Sequence, residues 1–188
     1  DTSNALNGAE AMVRSLEAHG VTHIFGLCGD TTLPFYDAMR NLDHDITHVL
    51  VRDERNAAYM ADGFAHVTGC GGVYEGPSGG GATYILPGLI EANESSYAVL
   101  AITTDISVGT YGKFPLTEVA QEALMRPLTK FNTVIKRADH IALGGPRPNH
   151  PYRALRQRSH DDWCELPHRG RRCWRSKAGV GLAQLRSR

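Results

Sequence analysis

Glu54 occupies a position at which a carboxyl group could transfer a proton. It follows the apolar run Val49-Leu50-Val51 and precedes a helical pattern rich in alanine over residues 57–65. A glutamate in the first turn of a helix usually complements the positive end of the helix dipole. In a largely apolar site, however, the pKa of a carboxyl group rises, and the group can then exchange a proton near neutral pH. Position alone leaves both interpretations open.

A glycine-rich loop is the second feature that could contact a ligand. It reads Gly76-Pro77-Ser78-Gly79-Gly80-Gly81-Ala82-Thr83, follows a short strand pattern and precedes a helical one. Phosphate groups often bind where such a loop opens a helix, but the loop matches neither G-x-x-x-x-G-K-S/T nor G-x-G-x-x-G. The glycines therefore either form a tight turn or let the backbone approach a flat ligand closely.

Strand and helix patterns alternate along the first two thirds of the chain. Strand patterns cover 21–27, 46–51, 71–74 and 98–103, and helical patterns cover 7–19, 34–42, 53–67 and 84–92, with a last helix and an extended stretch over 117–135. This alternation predicts an α/β fold, a parallel sheet of five or six strands with helices on both faces. Ligands bind at the carboxyl ends of strands in such sheets, so the candidate site comprises the loops that carry Asp30, Glu54, residues 76–83 and Asp105.

The residues around Glu54 resemble the signature of the thiamine-diphosphate enzymes of the acetolactate synthase, pyruvate oxidase and pyruvate decarboxylase group. In that group a glutamate ends a strand and is followed by A-x-x-M-A-D-G-Y/F-A. This chain reads Glu54-Arg55-Asn56-Ala57-Ala58-Tyr59-Met60-Ala61-Asp62-Gly63-Phe64-Ala65. The segments similar to the family's opening helix and strand, its GPG-A-T turn, the following strand and the closing segment are 17–30, 76–83, 100–103 and 121–130. The matches keep the family's order over residues 7–141.

The resemblance implies a pyrimidine-binding domain, in the thiamine-diphosphate-binding fold, of an enzyme that acts on a 2-oxo acid. Glu54 would be catalytic, because the family glutamate hydrogen-bonds the aminopyrimidine and so activates the cofactor. The residues implied to contact thiamine diphosphate are Glu54, Gly76, Pro77, Ser78, Gly79, Gly80, Gly81, Ala82 and Thr83. The reaction would be carboligation, as in transferases of the acetolactate synthase type, or decarboxylation, as in lyases. The enzyme would be a homodimer or homotetramer.

Asp30 and residues 116–118 bear on the choice between these reactions. In the decarboxylases an aspartate in the corresponding G-D loop acts in the substrate pocket, which would make Asp30 catalytic. Asp30 equally suits a turn or a helix N-cap before Thr31-Thr32-Leu33-Pro34. The paired histidines of the decarboxylases are not visible in residues 70–115, and where carboligases usually carry F-Q-E this chain reads Leu116-Thr117-Glu118. The substrate therefore stays open.

No metal ligands are predicted in this chain. The family binds the diphosphate through Mg²⁺ in a further domain that carries G-D-G followed by an asparagine, and no G-D-G occurs here. The spacing of Cys164, His168 and Cys173 fits no standard zinc pattern. We therefore expect Mg²⁺ to be supplied by a domain absent from this chain, which by itself should bind thiamine diphosphate weakly or not at all.

The charge distribution divides the chain in two. Residues 1–144 contain 9 Lys+Arg and 17 Asp+Glu, whereas residues 145–188 contain 11 and 3. We predict a pyrimidine-binding domain over residues 1–142 and an irregular, basic, poorly ordered tail outside the family pattern over residues 143–188. One interpretation of the tail is an arm for nucleic acid or an acidic partner. The other, which we favour, is a reading frame disrupted after the first domain.

The remaining expectations concern location and partners. No stretch approaches the roughly 18–20 apolar residues that a membrane helix needs, and the N-terminus lacks the pattern of a secretory signal, so we expect a cytoplasmic protein without a membrane partner. Binding of nucleic acid is not favoured. A second hypothesis of a different class is a truncated, non-catalytic domain that self-associates or binds a partner through an apolar face.

Overall fold

A computed structural model describes residues 6–143 and 181–186 as an α/β fold on one sheet. Its strands are β1 (His23–Gly26), β2 (Thr47–Leu50), β3 (Gly72–Gly76), β4 (Val99–Asp105), β5 (Phe131–Ile135) and β6 (Gly181–Arg186). They lie in the order β2-β1-β3-β4-β6-β5, and every neighbouring pair is parallel. The predicted fold class, a parallel sheet of five or six strands, is confirmed.

The helices cover both faces of this sheet. They are α1 (Gly8–Ala18), α2 (Leu33–Asn41), α3 (Glu54–Thr68), α4 (Gly80–Tyr84), α5 (Leu86–Ser95) and α6 (Gln121–Met125). Side chains of a strand alternate between the two faces, so Val73 packs with α1 and α2 whereas its neighbour Tyr74 packs with α3 and α5. None of the helices in the described part of the chain is long and apolar enough to span a membrane.

The small residues of α3 let this helix lie close to β3. Ala57, Ala58 and Ala61 are fully buried beneath it. A Cβ atom on Gly72 would collide with the backbone oxygen of Ala61, so glycine is required where the two backbones approach. The helix ends at Gly69, whose φ of 67° is the left-handed conformation typical of a helix C-terminus. The close packing holds the start of α3 firmly beside the sheet.

The helix predicted over residues 84–92 is divided in the structure. α4 begins earlier, inside the glycine-rich loop, and α5 begins at Leu86 with Pro87 in its first turn. Proline has no N–H to donate to a preceding turn, so it suits a helix start better than a helix interior. Pro87 therefore explains the separation, and it was a usable sequence signal.

β6 lies in the segment for which the sequence predicts no regular element. It runs between β4 and β5, and pairs with both. Six residues carry too little periodicity to predict a strand, and both partner strands are distant in sequence. The rest of the predicted tail, residues 144–180 and 187–188, is outside the described residues. The domain boundary near residue 142 and the poor order of the tail stay predictions.

Candidate functional site

The candidate site lies at the carboxyl edge of the sheet. Because β1 to β4 run parallel, the loops after all four strands emerge at this edge. They place Asp30 after β1, Glu54 after β2, residues 76–83 at the end of β3 and Asp105 at the end of β4. The structure thus brings the predicted loops together at the edge where α/β sheets bind ligands.

Glu54 is the first residue of α3, and it is half-buried. The N-cap is the preceding residue, Asp53, whose carboxylate accepts a hydrogen bond of 2.9 Å from the backbone N–H of Arg55. The guanidinium group of Arg55 donates to the same carboxylate, and these hydrogen bonds lower the pKa of Asp53 to about 2. Asp53, and not Glu54, therefore caps the helix. The Glu54 carboxylate accepts no hydrogen bond from any residue that the structure describes.

The Glu54 carboxylate faces the glycine-rich loop. Its Oε1 lies 3.3 Å from the position that a Cβ atom would take on Gly81. The same Cβ would be 2.5 Å from Cγ of Pro77, which is closer than real Cβ contacts are. Glycine at position 81 therefore lets the loop backbone approach both Pro77 and the carboxylate. The sequence left open whether the loop glycines form a tight turn or let the backbone approach a ligand closely. The contact at Gly81 is a close approach of this kind.

The tight turn is also present, at Gly79. Its φ of 68° and ψ of −118° form a conformation that residues with a side chain rarely adopt. A Cβ atom there would lie 2.7 Å from Cβ of Thr117. Thr117 has a φ of 76°, which is unusual for a β-branched residue and indicates local backbone strain. The loop and Thr117 thus constrain one another.

Hydroxyl groups connect the glycine-rich loop to its neighbours. The backbone N–H of Ser78 donates to Oγ1 of Thr31 (3.0 Å), and its Oγ lies 2.8 Å from Oγ1 of Thr117. The hydroxyl group of Thr104 donates to the same Oγ1 of Thr31 at 2.8 Å. These hydrogen bonds join the ends of β1, β3 and β4, and so fix the loop that faces Glu54.

Asp30 is exposed at the same edge. It begins a short 3₁₀ helix, Asp30–Thr32, and its Oδ1 accepts a hydrogen bond of 2.8 Å from the backbone N–H of Thr31. The turn role considered for this residue is therefore present in the structure. A second role, toward a substrate, stays a prediction.

Sequence reasoning missed Glu75, a second carboxyl group in β3. Its side chain is 1% exposed. The hydroxyl group of Tyr36 donates to Oε1 of Glu75, and Oη of Tyr36 lies 2.9 Å from Nε2 of His48. That Nε2 is 3.9 Å from the same Oε1. The usable signal was a glutamate directly after an apolar strand pattern, since glutamate is almost never fully buried unless it is paired.

Burial and neighbouring charges set the proton affinity of this cluster. Removal from water raises the pKa of the Glu75 carboxyl group, hydrogen bonds with His48 and Tyr36 oppose that rise, and the Glu54 carboxylate adds to it. Burial and the Glu75 carboxylate also raise the pKa of the Tyr36 hydroxyl group far above its usual range. The cluster is therefore electrostatically connected to Glu54.

A parallel α/β domain that sets a half-buried acid against a glycine-rich turn at its carboxyl edge is a ligand-binding domain. A family model for the thiamine pyrophosphate enzymes, described as their N-terminal TPP binding domain, matches residues 6–126. The chain belongs to this family.

Curated relatives agree with this assignment. The probable acetolactate synthase large subunit of Methanocaldococcus jannaschii is 41% identical over 136 residues, which are 72% of this chain and 23% of the relative. The acetolactate synthase of Mycobacterium bovis is 40% identical over 136 residues, 72% of this chain and 22% of the relative. The acetolactate synthase large subunit of Buchnera aphidicola is 36% identical over 138 residues, 73% and 24%. The chain thus spans about a quarter of these relatives.

The residues at the carboxyl edge fit the aminopyrimidine end of thiamine diphosphate. Glu54 offers a half-buried carboxylate without a hydrogen-bond partner among the described residues, and it faces backbone at Gly81. An acceptor beside backbone that lacks a side chain suits a flat ring with hydrogen-bonding nitrogens. Among the described residues, no three His, Cys, Asp or Glu side chains are grouped to hold a metal ion.

Proposed function

We propose that this chain is the pyrimidine-binding part of a thiamine-diphosphate-dependent enzyme that acts on a small 2-oxo acid. The observation that carries the proposal is the half-buried Glu54 carboxylate against the backbone of Gly81. The relatives named acetolactate synthase favour carboligation, and decarboxylation is the alternative reaction of the same cofactor.

Each residue of the proposed site has a distinct task. Thiamine diphosphate, when bound, supplies the nucleophilic carbon that attacks the carbonyl group of the 2-oxo acid. Glu54 holds a proton at the ring nitrogen of the aminopyrimidine, and the backbone of residues 76–83 borders the ring. The hydrogen bonds of Ser78 with Thr31 and Thr117 keep that backbone in place. Asp30 is proposed as a second catalytic acid on the substrate side.

The proposed enzyme requires more than this chain. The relatives are about four times as long as the segment they share with it. We propose that Mg²⁺ and the diphosphate bind to a domain absent from this chain, because Mg²⁺ is held mainly through carboxylates and phosphate oxygens. The assembly would be a homodimer or homotetramer in the cytoplasm.

A second candidate function is a non-catalytic domain that associates with a second copy of itself. It is favoured by exposed apolar side chains at the end of β2 and on α3, namely Leu50 (66% exposed), Tyr59 (48%) and Met60 (41%). They line one shallow depression together with Val51, Arg52 and Asn56. Contiguous apolar surface of this kind marks interaction sites more often than ordinary surface does.

Calorimetry and an activity assay separate the two candidates. In a chimera, this chain replaces the matching segment of the Methanocaldococcus jannaschii relative, which supplies the rest of the enzyme. The chimera is titrated with thiamine diphosphate in the presence of Mg²⁺, and turnover of pyruvate is then measured. Glu54→Gln should abolish turnover, because the amide cannot exchange the proton that the carboxyl group holds. Glu122→Gln is the matched control, since Glu122 also lies in the first turn of a helix but is exposed and paired with Arg126 at 3.2 Å.

The outcomes point in different directions. Turnover that is lost in Glu54→Gln and kept in Glu122→Gln supports the enzyme. Neither heat nor turnover, together with dimers that dissociate on substitution of Met60, supports the non-catalytic domain. Equal turnover in wild type and Glu54→Gln would contradict the role proposed for the glutamate.

A further inference from the structure

We propose that Glu75, Tyr36 and His48 form one proton-sharing unit, in which a single proton moves between the buried carboxyl group and the half-exposed imidazole through the tyrosine hydroxyl group. The three residues belong to β3, α2 and β2, respectively. β2 and β3 lead directly into the loops that carry Glu54 and residues 76–83. No step of the proposed function uses this unit.

The hydrogen bonds give the unit a direction. Tyr36 has one hydroxyl hydrogen, which it donates to Oε1 of Glu75. While the Tyr36 hydrogen points to Glu75, Nε2 of His48 is the donor in its 2.9 Å contact with Oη of Tyr36; once the proton has reached Glu75, Tyr36 donates to Nε2 instead. The unit thus runs from donor imidazole to acceptor carboxyl group, with the tyrosine as both acceptor and donor.

The transfer step balances within the three residues. It starts from a His48 imidazolium and a Glu75 carboxylate. The hydrogen on Nε2 passes to Oη of Tyr36 as the Tyr36 hydrogen passes to Oε1 of Glu75. The products are a neutral imidazole with a lone pair on Nε2 and a neutral carboxylic acid, and the tyrosine is unchanged. In this proposal a further proton reaches or leaves the unit through the imidazole.

Burial explains why the carboxyl group needs such a route. The Glu75 side chain is 1% exposed, and its Oε2 is buried without a hydrogen-bond partner among the described residues. A buried carboxylate without full hydrogen bonding is unfavourable, so the neutral acid is the preferred form. The His48 side chain is 19% exposed and forms the end of the unit that reaches solvent.

Glycine at position 26 makes room for the carboxyl group. Gly26 of β1 pairs with Glu75 in the sheet. A Cβ atom on Gly26 would lie 2.7 Å from Cδ of Glu75, so any larger residue would displace the acid from its place beside Tyr36. The Glu75 side chain therefore occupies space that exists because position 26 has no side chain.

Two further titratable groups face the unit. The Cys28 thiol, in the loop after β1, contributes to the raised pKa of the Tyr36 hydroxyl group. The Glu54 carboxylate, at the start of α3, contributes to the raised pKa of Glu75. Electrostatic coupling is reciprocal, so the charge on Glu75 acts back on Glu54. In its neutral form Glu75 adds no negative charge to the surroundings of Glu54. This consequence makes Glu75 a positioning residue for cofactor activation, and it rests on the proposed function.

Carbon-13 NMR of the full chain tests the unit without cofactor. Glutamate is labelled at the carboxyl carbon, and Glu75→Gln assigns the Glu75 signal. We expect its titration midpoint above that of the exposed Glu122. Tyr36→Phe and His48→Gln should each raise it further, by about one pH unit, because each removes a group that favours the carboxylate. Glu54→Gln should lower it, because a like charge is removed.

Tyr97→Phe is the matched control. Tyr97 stacks on His66 with ring centroids 3.6 Å apart, so this second Tyr–His pair lies outside the unit, and its loss should leave the Glu75 midpoint unchanged. Infrared spectroscopy of the wild type provides a measurement that needs no variant. A protonated carboxylic acid band should persist above the pH at which exposed glutamates become ionised.

The proposal is overturned if Glu75 titrates together with Glu122, if no acid band persists once exposed glutamates are ionised, or if neither Tyr36→Phe nor His48→Gln moves the midpoint. These results leave the proposed function untouched, because they are read without cofactor. Conversely, a coupled Glu75, together with a chimera that neither binds thiamine diphosphate nor turns over pyruvate, supports the unit and contradicts the proposed function.

Discussion

Two carboxyl groups at the same edge of the sheet have opposite environments. Glu54 begins a helix, is half-buried and has no hydrogen-bond partner among the described residues. Glu75 lies within a strand, is 1% exposed and is bonded to Tyr36. The first has free acceptor capacity beside backbone, whereas the second is buried beside side chains of α2 and β2. An edge of one sheet can thus provide both an acid for a ligand and an acid that holds a proton internally.

The difference comes from where each acid lies in its element. A residue that begins a helix after a strand projects from the edge, while a residue within a central strand faces the packed helices. The local backbone therefore decides which acid a ligand can reach. Substitutions at the two positions should separate activity from stability.

Glu54→Gln should have the largest effect, and on activity alone. Loss of a general acid or base lowers kcat/KM by about 10²–10⁴-fold. The free energy of unfolding should change by less than about 0.5 kcal/mol, because the side chain makes no hydrogen bond that would be lost. Steady-state kinetics and urea unfolding of the same preparation measure both quantities. A loss of stability comparable to the loss of activity would assign Glu54 to the fold.

Gly26→Ala should affect the buried acid instead. The new Cβ would collide with the Glu75 carboxyl group, and overpacking of this kind destabilises by roughly 1–3 kcal/mol. Urea unfolding measures the change. Gly63→Ala is the control, because no atom lies within 4 Å of a Cβ at that position in α3. That variant should be as stable as the wild type or more so, since alanine has a higher helix propensity than glycine.

Tyr36→Phe should remove a smaller part of the stability. Glu75 would keep its place but lose the hydroxyl donor, and one hydrogen bond contributes about 0.5–1.5 kcal/mol net. Thermal and urea unfolding measure the loss. Tyr97→Phe, at the other Tyr–His pair, should stay near the wild-type value. Equal losses at the two tyrosines would show that the hydroxyl group of Tyr36 has no special partner.

The pH dependence of stability should distinguish wild type from Glu75→Gln. The folded-state pKa of Glu75 is raised above its reference of 4.5, so its contribution to stability is fully present below that pH. The contribution is lost as pH rises through the folded-state pKa. Unfolding at pH 5 and pH 8 should therefore show a steeper decline in the wild type than in Glu75→Gln. Parallel declines would contradict the raised pKa.

Asp30→Asn should have the smallest effect on stability. The asparagine oxygen can accept the same hydrogen bond from the backbone N–H of Thr31, so the free energy of unfolding should change by less than about 0.5 kcal/mol. If Asp30 also acts on the substrate, turnover falls while the melting temperature holds. Unchanged turnover would leave this residue with its turn role only.

The features that the sequence predicted correctly are local. The helix predicted over residues 53–67, which the structure has as α3, and a tight turn in the glycine-rich loop each depend on residues that are close in the chain. The cluster around Glu75 was missed because its partner Tyr36 is 39 residues away, and no periodic pattern connects the two. The contact of Gly79 with Thr117 was beyond reach for the same reason. Pro87, by contrast, was a local signal that was overlooked.

The place of β6 has a consequence for how the fold is assembled during synthesis. Residues 181–186 enter the sheet between two strands that were made 50 and 80 residues earlier. Until the ribosome has released them, the facing edges of β4 and β5 carry unpaired backbone groups, which can recruit strands from other chains. Insertion of β6 between distant strands is also slow, because the entropy of closing long loops is lost before the new contacts can stabilise the sheet. Nascent chains should therefore depend on chaperones, or on rapid completion of synthesis, more than a sheet filled in sequence order would.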